Sequence, residues 1–176
     1  MGGFAGGDEA GYWDIDTLPT SIDKKNNKTK EKLDIEKSDS GVYTLKAYAK
    51  GNKSFKVIED LYDTISFVPC KCENFTIEGC ENIPVESNSI YKAYKALSDY
   101  TRDSDIEDFF CEYKVVVVKN IPLGKGLGGS SSDAAAFMRL LKEVCNLVLS
   151  NDELAKIGML LSPNIPFFIY NESYKC

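Results

Sequence analysis

The spacing of hydrophobic and polar positions changes along the chain, and it predicts one strand and one helix with particular clarity. Val115 to Val118 are consecutive β-branched residues, which favour a buried strand. Pro122 cannot continue a strand ladder because it has no N–H to donate. From Asp133 to about Leu149 the spacing predicts a helix. Its polar stripe comprises Arg139, Lys142, Glu143 and Asn146, and its apolar side chains are Phe137, Leu140, Leu141, Val144, Leu147 and Val148.

Weaker patterns predict the elements before this helix. Short β-rich runs lead us to expect strands at 42–49, 64–68 and 74–78. Residues 101–108 are acidic and are expected to form a solvated loop. The N-terminal residues are polar and rich in asparagine and lysine. We therefore expect a disordered tail over 1–41 and a folded domain over 42–176.

Two further helices are predicted from their capping residues. One is expected to begin at Ser87 or Asn88, with its apolar positions facing inward at helical spacing. These positions are Ile90, Ala93, Tyr94 and Leu97. Ser150 and Glu153 fit a capping box, which predicts a second helix through about Leu161.

Glycines followed by serines separate the valine strand from the main helix: Gly124, Gly126, Gly128 and Gly129, then Ser130, Ser131 and Ser132. Glycine lets the backbone approach a ligand closely and adopt positive φ. Unpaired N–H groups at a helix start point outward, at the positive end of the helix dipole. Serine hydroxyls there can bind phosphate oxygens or a phosphate-bound Mg²⁺. The pattern predicts an anion-binding loop, and we expect its ligand to be a nucleotide polyphosphate.

Other interpretations of this loop fit less well. A Walker loop requires Lys and then Ser or Thr directly after its last glycine, and Gly129 is followed by serines only. The dinucleotide fingerprint fits by letter at Gly124, Gly126 and Gly129. However, residues 120–123 separate it from the strand, and no strand with a ribose-binding acid follows, so an NAD-binding oxidoreductase is disfavoured. A flexible linker would not separate a valine strand from a strongly patterned helix.

Composition narrows the chemistry. The net charge of −6 argues against a general nucleic-acid binder. There is no histidine, so lysine and carboxylates are left for proton transfer. Cys70, Cys72 and Cys80 lack the spacing of a zinc site, so we assign no metal ligands and expect reduced thiols. No stretch is long and apolar enough to span a membrane, and residues 1–9 lack a signal-peptide hydrophobic region.

Residues 122–135 resemble the phosphate loop of the GHMP kinases. With their doubled glycine and Asp133, they most resemble the branch that phosphorylates 4-diphosphocytidyl-2-C-methyl-D-erythritol. Residues 49–52 are similar to the family's first signature, and 164–168 to its Gly-Ala-Asp-Val-Pro-Phe-Phe start of a strand. The resemblance implies an α+β fold, the two-layer α/β sandwich of the GHMP kinase N-terminal domain (ribosomal protein S5 domain 2-like). It also implies that ATP with Mg²⁺ phosphorylates a small-molecule alcohol, an isoprenoid precursor of the non-mevalonate pathway.

The resemblance also implies roles for individual residues. Lys50 would lie near the acceptor hydroxyl, Asn52 near the substrate's polyol, and Asn164 where the family has its aspartate base. Asn88 is either only a helix cap or a cap that also touches adenine, and Lys119 either lines the adenine pocket or is merely a strand-end charge. The residues implied to hold the nucleotide are Asn88, Lys119, Pro122, Gly124, Gly126, Leu127, Gly128, Gly129, Ser130, Ser131 and Ser132.

The chain departs from the family's pattern in three ways. The Asp-Gly-Tyr-His-Glu segment, whose histidine stacks on cytosine in the family, is absent before residue 67. Asn164 replaces the base, and an amide cannot accept the substrate proton. The sequence stops at Cys176, so the family's C-terminal domain is expected to be absent. Two functions stay open: an active kinase, or a catalytically impaired or truncated nucleotide-binding pseudokinase. We expect it in the cytoplasm or a plastid-type organelle, and its oligomeric state is unassigned.

Overall fold

A mixed sheet is the framework of the chain. The computed structural model describes residues 34–51, 57–102 and 104–171. Within these ranges the strands are β1 (Glu36–Lys37), β2 (Tyr43–Lys50), β3 (Val57–Pro69), β4 (Ile77–Glu78) and β5 (Tyr113–Val118). They are arranged in the order β1-β2-β3-β5-β4. The β4–β5 pair is parallel and the other neighbouring strands are antiparallel.

One face of this sheet is buried because apolar side chains alternate along its strands. Successive residues of a strand point to opposite faces, so every second side chain reaches the core. The register places Ile65 between Leu45 and Val117, and it pairs Phe67 with Val115. All five side chains are buried. They form a continuous apolar surface on which helices pack.

The helices form a second layer. Within the described residues they are α1 (Ser89–Thr101), α2 (Ser104–Glu112), α3 (Gly129–Val144), α4 (Asn151–Leu161) and α5 (Ile165–Asn171), with a short 3-10 turn at Val85–Ser87. Helix α3 packs against β2 and β3 and also contacts α1, α4 and α5. The predicted two-layer α/β sandwich is therefore confirmed. Across the described ranges, no helix is both long and apolar enough to cross a membrane.

Several predicted elements are confirmed with their caps. The strand expected at 42–49 is β2, and the valine strand is β5. The Asn88 side chain caps α1 by accepting a hydrogen bond from the Ile90 N–H at 2.8 Å. The capping box at the start of α4 is complete, because Ser150 and Glu153 each accept a hydrogen bond from the other's backbone N–H.

The main helix was predicted correctly in type, but its boundaries and polar stripe were partly wrong. It runs over Gly129–Val144 instead of starting at Asp133 and reaching Leu149. It ends because Asn146 adopts a left-handed conformation, with φ of 53°. Val148 then lies outside the helix and is 97% exposed. Arg139 is buried, and its guanidinium donates to the Ile169 carbonyl of α5.

Two segments have a different secondary structure from the one predicted. The expected acidic loop is mostly helix α2, where acidic side chains in the first turn suit the helix dipole and Ile106 and Phe110 are buried. The expected strand after Asn164 is helix α5. Pro166 is tolerated there because it lies in the first turn, where its missing N–H has no intrahelical partner.

The remaining boundaries also differ from the sequence-based ones. Strand β3 extends over Val57–Pro69, well beyond the expected 64–68, whereas β4 is limited to Ile77–Glu78. Of the predicted tail, residues 1–33 lie outside the described residues. Glu36 and Lys37 pair with Thr44 and Tyr43, so the sheet begins before residue 42.

Gly158 provides a test of how α4 packs on α5. A Cβ atom there would lie 2.3 Å from the Ile165 Cγ2 atom. Alanine in a helix interior is ordinarily more stable than glycine by about 1 kcal/mol. Here we expect Gly158→Ala to lower the free energy of unfolding by about 1–3 kcal/mol, because the core is overpacked. Urea unfolding measures this change in the free energy of unfolding. Lys156→Ala, exposed on the same helix, should change it by less than about 0.5 kcal/mol. A Gly158→Ala protein as stable as the wild type would contradict this packing.

Candidate functional site

The glycine loop leads directly from β5 into the N-terminus of α3. Gly124, Gly126 and Gly128 have φ of 71°, 71° and 70°, in the left-handed region that favours glycine. Gly128 occupies the cap position and has no side chain to accept from the first N–H groups of α3. These groups are therefore left for an anion. The loop from Pro122 to Ser131 surrounds a cavity of about 190 Å³.

Gly128 lies against two other elements, and this contact fixes the loop's position. A Cβ atom at Gly128 would lie 2.9 Å from Phe168 Cζ of α5 and 3.8 Å from Lys50 Cβ of β2. The Lys50 N–H also donates to the Leu127 carbonyl at 2.9 Å. The loop is thus held between the end of β2 and α5, and only glycine fits at its closest point.

A second cavity of about 280 Å³ adjoins the loop and has Leu123, Ser130 and Ser131 in common with the first one. Asn88, Lys119 and Asp133 also line it, together with apolar side chains that include Ile90 and Ile165. The Ser89 hydroxyl donates to the Ser130 carbonyl at 3.0 Å and fastens α1 to α3 at this point. The residues predicted for the base and for the phosphates therefore meet in one region.

Asn88 was predicted either only to cap α1 or to cap it and also touch adenine. It is the cap of α1, as predicted, and it is 4% exposed. It also lines the larger cavity, next to Cys80. Burial raises the pKa of the Cys80 thiol, which is therefore neutral beside Asn88. Capping is shown, and contact with a base stays a prediction.

Lys119 is more than a charge at a strand end. Its ammonium lies 2.9 Å from Asp63 Oδ2 and 2.7 Å from Asp133 Oδ2. Asp63 Oδ1 also accepts hydrogen bonds from the Asn120 and Ile121 N–H groups, at 2.6 and 2.8 Å. The Asp63 side chain is fully buried. These contacts tie β3, the start of the loop and α3 together.

Sequence analysis missed Asp63, although a signal was present. Asp63, Ile65 and Phe67 alternate along β3 and so face the same side of the sheet. An acidic residue in register with two core residues indicates a buried carboxylate that has partners. The strand predicted here began only at residue 64. Asp63 lay just outside it and was therefore not assigned to either face of the sheet.

The ionisation of this cluster follows from its hydrogen bonds. Burial would raise the pKa of Asp63, but hydrogen bonds from Asp133, Lys119 and two backbone N–H groups outweigh burial and hold that pKa below its ordinary value. Burial would lower the pKa of Lys119, but the two carboxylates raise it overall. Lys119 therefore remains protonated and is a charged hydrogen-bond donor at the edge of the larger cavity.

The two predicted catalytic residues are linked to the loop through different elements, β2 and the turn before α5. Burial lowers the pKa of the Lys50 ammonium, which lies 5.3 Å from the centroid of the Phe167 ring. The register of β2 and β3 shifts just before Lys50, between Tyr48 and Ala49. Asn164 lies in the turn before α5, and its N–H donates to Ser162 Oγ at 3.3 Å. Ser162 Oγ in turn lies 3.0 Å from Ser131 Oγ.

The other predicted site residues divide into three groups. Most residues of the predicted loop set line the smaller cavity: Pro122, Gly124, Gly126, Leu127, Gly128, Gly129, Ser130 and Ser131. Ser132 is 2% exposed and lines neither of these two cavities. Asn52, the predicted contact to the substrate's polyol, lies outside the described residues.

The donor set near the loop limits how a metal ion can bind. Within the described ranges, no three or more acidic or cysteine side chains are grouped to hold a metal. Asp133, an acid near the start of α3, is already engaged with Lys119. The loop itself offers serine hydroxyls, so a Mg²⁺ ion here would take most of its ligands from phosphate and water.

Comparison with known proteins identifies relatives. Residues 88–172 match the family profile described as GHMP kinases N terminal domain. The 4-diphosphocytidyl-2-C-methyl-D-erythritol kinase of Sulfurovum sp. (strain NBC37-1) is 44% identical over 146 residues, which cover 74% of this chain and 56% of that protein. The chain spans about half the length of the curated relatives it matches.

Two solved structures illustrate the likeness in fold. The crystal structure of 4-(cytidine 5'-diphospho)-2C-methyl-D-erythritol kinase has a TM-score of 0.51 at 23% identity, covering 72% of this chain and 48% of that one. The Methanococcus jannaschii mevalonate kinase has a TM-score of 0.56 at 16% identity, covering 78% of this chain and 53% of that one. At these identities the likeness concerns the fold alone.

The buried carboxylate of Asp63 is expected to stabilise the whole site. Asp63→Ala should lower the free energy of unfolding at neutral pH by at least about 2 kcal/mol, because buried N–H groups that lose their acceptor cost about 1–3 kcal/mol each. Denaturant unfolding measures the difference, and Asp60→Ala, at an exposed position of β3, is the matched control.

The pH dependence gives a second readout for the same variant. The pKa of Asp63 is lowered from 3.8 in the folded chain, so its contribution to stability is present above that value and is lost as the pH falls below it. The difference between wild type and Asp63→Ala should therefore shrink in acid. A difference that is independent of pH would show that Asp63 does not act through its charge.

Proposed function

The chain belongs to the GHMP kinase family through its N-terminal domain, and from this premise we propose that it binds ATP with Mg²⁺ for phosphorylation of a small-molecule alcohol. One observation carries the proposal. The left-handed glycine loop at the uncapped start of α3 opens into the larger cavity, which Asn88 and Lys119 line. An anion-binding loop joined to a cavity with both apolar and polar walls suits a phosphorylated nucleoside.

The triphosphate is proposed to lie along the loop, in the smaller cavity. Backbone N–H groups at the start of α3 would donate to its oxygens, and the positive end of the helix dipole favours its charge. The close fit of Gly128 against Phe168 keeps the loop backbone in place, so the donors are arranged before the ligand arrives.

The nucleobase is proposed to occupy the larger cavity. Asn88 has amide groups, and Lys119 has an ammonium, with which to meet the polar edge of a base. Ile90 and Ile165 provide apolar walls against which a planar ring packs. Mg²⁺ would arrive with the phosphates, and the hydroxyls of Ser130 and Ser131 would add ligands or bind its water.

The acceptor is proposed to be 4-diphosphocytidyl-2-C-methyl-D-erythritol, phosphorylated at its 2-hydroxyl. The name of the Sulfurovum relative supports this choice. Lys50 enters the site at the end of β2, beside Gly128, so its ammonium would orient or polarise the attacking hydroxyl next to the γ-phosphate. Phosphoryl transfer depends mainly on such positioning and on charge stabilisation.

A second candidate is a nucleotide-binding protein of impaired activity. Asn164 favours it, because an amide at the position of the family's base cannot take the hydroxyl proton. The proposed nucleotide site does not include Asn164, so nucleotide binding and phosphate transfer can be measured separately.

Titration with Mg·ATP, with NAD as control, tests the nucleotide site. Ser130 is exposed in the first turn of α3. An acid at Ser130 suits the helix dipole but repels phosphate. We expect Ser130→Asp to fold normally and to bind Mg·ATP at least about tenfold more weakly than the neutral control Ser130→Asn.

Either of two results would contradict the assignment of the loop. Equal affinity of the two Ser130 variants would place the phosphates elsewhere. Saturable binding of NAD, without binding of ATP, would replace the kinase proposal with a dinucleotide site.

Replacing Asn164 separates the active kinase from the impaired one. If the chain has a competent acceptor site, Asn164→Asp should raise the rate of phosphate transfer by about 10²–10⁴, the usual contribution of a general base. Phosphorus NMR with 4-diphosphocytidyl-2-C-methyl-D-erythritol follows the product directly. Asn74→Asp, an exposed amide-to-acid change, is the matched control. No gain in Asn164→Asp would support the impaired form.

A further inference from the structure

We propose that Cys70 and Cys72 form a redox-active dithiol on the outer face of the sheet, which low-molecular-weight disulfides convert reversibly into an intramolecular disulfide. The site lies at the end of β3, beside the start of β5. The glycine loop follows the other end of β5, so the dithiol does not belong to the proposed nucleotide site. The inference therefore stands independently of the proposed function.

The position of the two cysteines follows from the end of strand β3. Alternation along β3 directs Val68 to the outer face, opposite the core. The Cys70 N–H donates to the Glu112 carbonyl at 2.9 Å, which continues the β3–β5 pairing by one residue and keeps Cys70 on that face. The Cys72 N–H donates to the Cys111 carbonyl, also at 2.9 Å. Two backbone hydrogen bonds thus hold the segment, and both cysteines are only half-buried.

The two thiols are in contact with each other. The Cys70 S–H donates to the Cys72 sulfur, and this hydrogen bond raises the pKa of the Cys70 thiol. Both cysteines are free, so the contact is between two reduced side chains. Because Cys70 holds its proton in this contact, the Cys72 sulfur is the first nucleophile, and Cys70 is the thiol that resolves a mixed disulfide.

A cation lies next to the dithiol on the neighbouring strand. Lys114 of β5 pairs with Val68, two positions before Cys70. Its charge opposes the rise in the pKa of Cys70 that the hydrogen bond from Cys72 causes. The Glu78 carboxylate of β4, which would oppose ionisation, is paired with Lys114 at 2.9 Å. An ammonium beside a thiol stabilises the thiolate, the form that attacks disulfides.

The other described cysteines are less suited to pair with this site. Cys111 is exposed, but its thiol lies close to Tyr94 of α1, in the helix layer. Cys80 is buried and hydrogen-bonds with Asn88 at the larger cavity. Cys145 lies at the end of α3. The disulfide is therefore expected between the two thiols that already touch.

The exchange balances in two steps. The Cys72 thiolate attacks one sulfur of a disulfide R–S–S–R, that S–S bond breaks, and R–S⁻ leaves and takes up a proton. Cys70 then loses its proton to solvent and attacks the Cys72 sulfur of the mixed disulfide, and the second R–S⁻ leaves and is protonated. The two cysteines lose two electrons, the small disulfide gains them and becomes two R–SH, and a bond between Cys70 and Cys72 remains.

The spacing of the two cysteines predicts that this disulfide is readily reduced. Two residues apart in an extended segment, Cα atoms are separated by about 6.4–6.8 Å, whereas disulfides usually span about 4.4–6.8 Å. Closure therefore requires the segment to contract, and the bond is strained. Strained and exposed disulfides are the labile ones. We accordingly expect an excess of a small thiol to restore the dithiol.

Glutathione disulfide is the probe, and peptide mapping of the wild-type chain is the test. The oxidised chain is digested without reductant by trypsin and a glutamate-specific protease. Trypsin cuts after Lys71, between the two cysteines, and the second protease cuts after Glu73, before Cys80. The expected product is a pair of peptides from either side of Lys71 that stay joined through Cys70 and Cys72. They should separate after treatment with an excess of reduced glutathione.

Serine variants separate the two steps of the exchange. In Cys70→Ser, Cys72 has no resolving thiol, so we expect its mixed disulfide with glutathione to accumulate. Cys145→Ser removes a half-buried thiol at the end of α3 and is the matched control. It should give the same joined peptides as the wild type.

Lys114→Gln tests the contribution of the cation. We expect the intramolecular disulfide to form about threefold more slowly at neutral pH, because a higher thiol pKa removes more thiolate than the gain in nucleophilicity restores. Lys95→Gln, at an exposed position of α1, is the control and should react at the wild-type rate. Equal rates in the two variants would overturn the part assigned to Lys114.

The peptide map of the wild type decides the proposal even if a variant does not fold. Lasting mixed disulfides at both Cys70 and Cys72, or no modification of either, would overturn it. A disulfide that joins either of them to Cys80 or Cys111 would overturn it as well. None of these results depends on ATP, so failure of the dithiol site and failure of the nucleotide site are told apart.

Discussion

The site depends on one buried carboxylate, that of Asp63. It lies on the inner face of β3, and its oxygens accept from two backbone N–H groups at the exit of β5 and from the Lys119 ammonium. Because Lys119 also binds Asp133, this single side chain connects the sheet to the helix that follows the loop. The glycine loop begins and ends at residues held by this cluster. A loop of small residues can then keep a defined shape without a ligand.

The opposite side of the loop is fixed by packing instead of charge. Phe168 leaves no room for a side chain at Gly128, and Lys50 is tied to Leu127 through its backbone. Helix α5 bears Phe168, and Arg139 of α3 holds that helix by donating to the Ile169 carbonyl. A buried arginine is costly unless it is paired, so its place in the core is explained by the docking of α5. The glycine loop, the end of β2 and α5 are thereby packed together.

Charge in this region is distributed in a way that suits an anionic ligand. The protein is acidic overall, yet the start of α3 presents backbone donors, and the nearby acids are occupied by Lys119. The proposed phosphate binding does not require a basic surface, because the helix terminus provides local stabilisation. This arrangement also leaves little carboxylate for a metal, which agrees with the proposal that Mg²⁺ is held mainly by phosphate.

Much of the architecture follows from local sequence. Consecutive valines specify β5, the capping box starts α4, Asn88 caps α1, and glycines followed by serines predict the loop, because each depends on neighbours in the chain. Tertiary structure decided the rest. Arg139 fits a polar stripe by spacing, but it is buried and donates to the Ile169 carbonyl of α5. The family resemblance implied the start of a strand at 164–168, whereas Ile165–Asn171 form a helix that packs on α3 and α4. Asp63 and Asp133 become one charge cluster only when β3 and α3 pack together. Burial and ionisation are set by groups distant in sequence, which no local pattern contains.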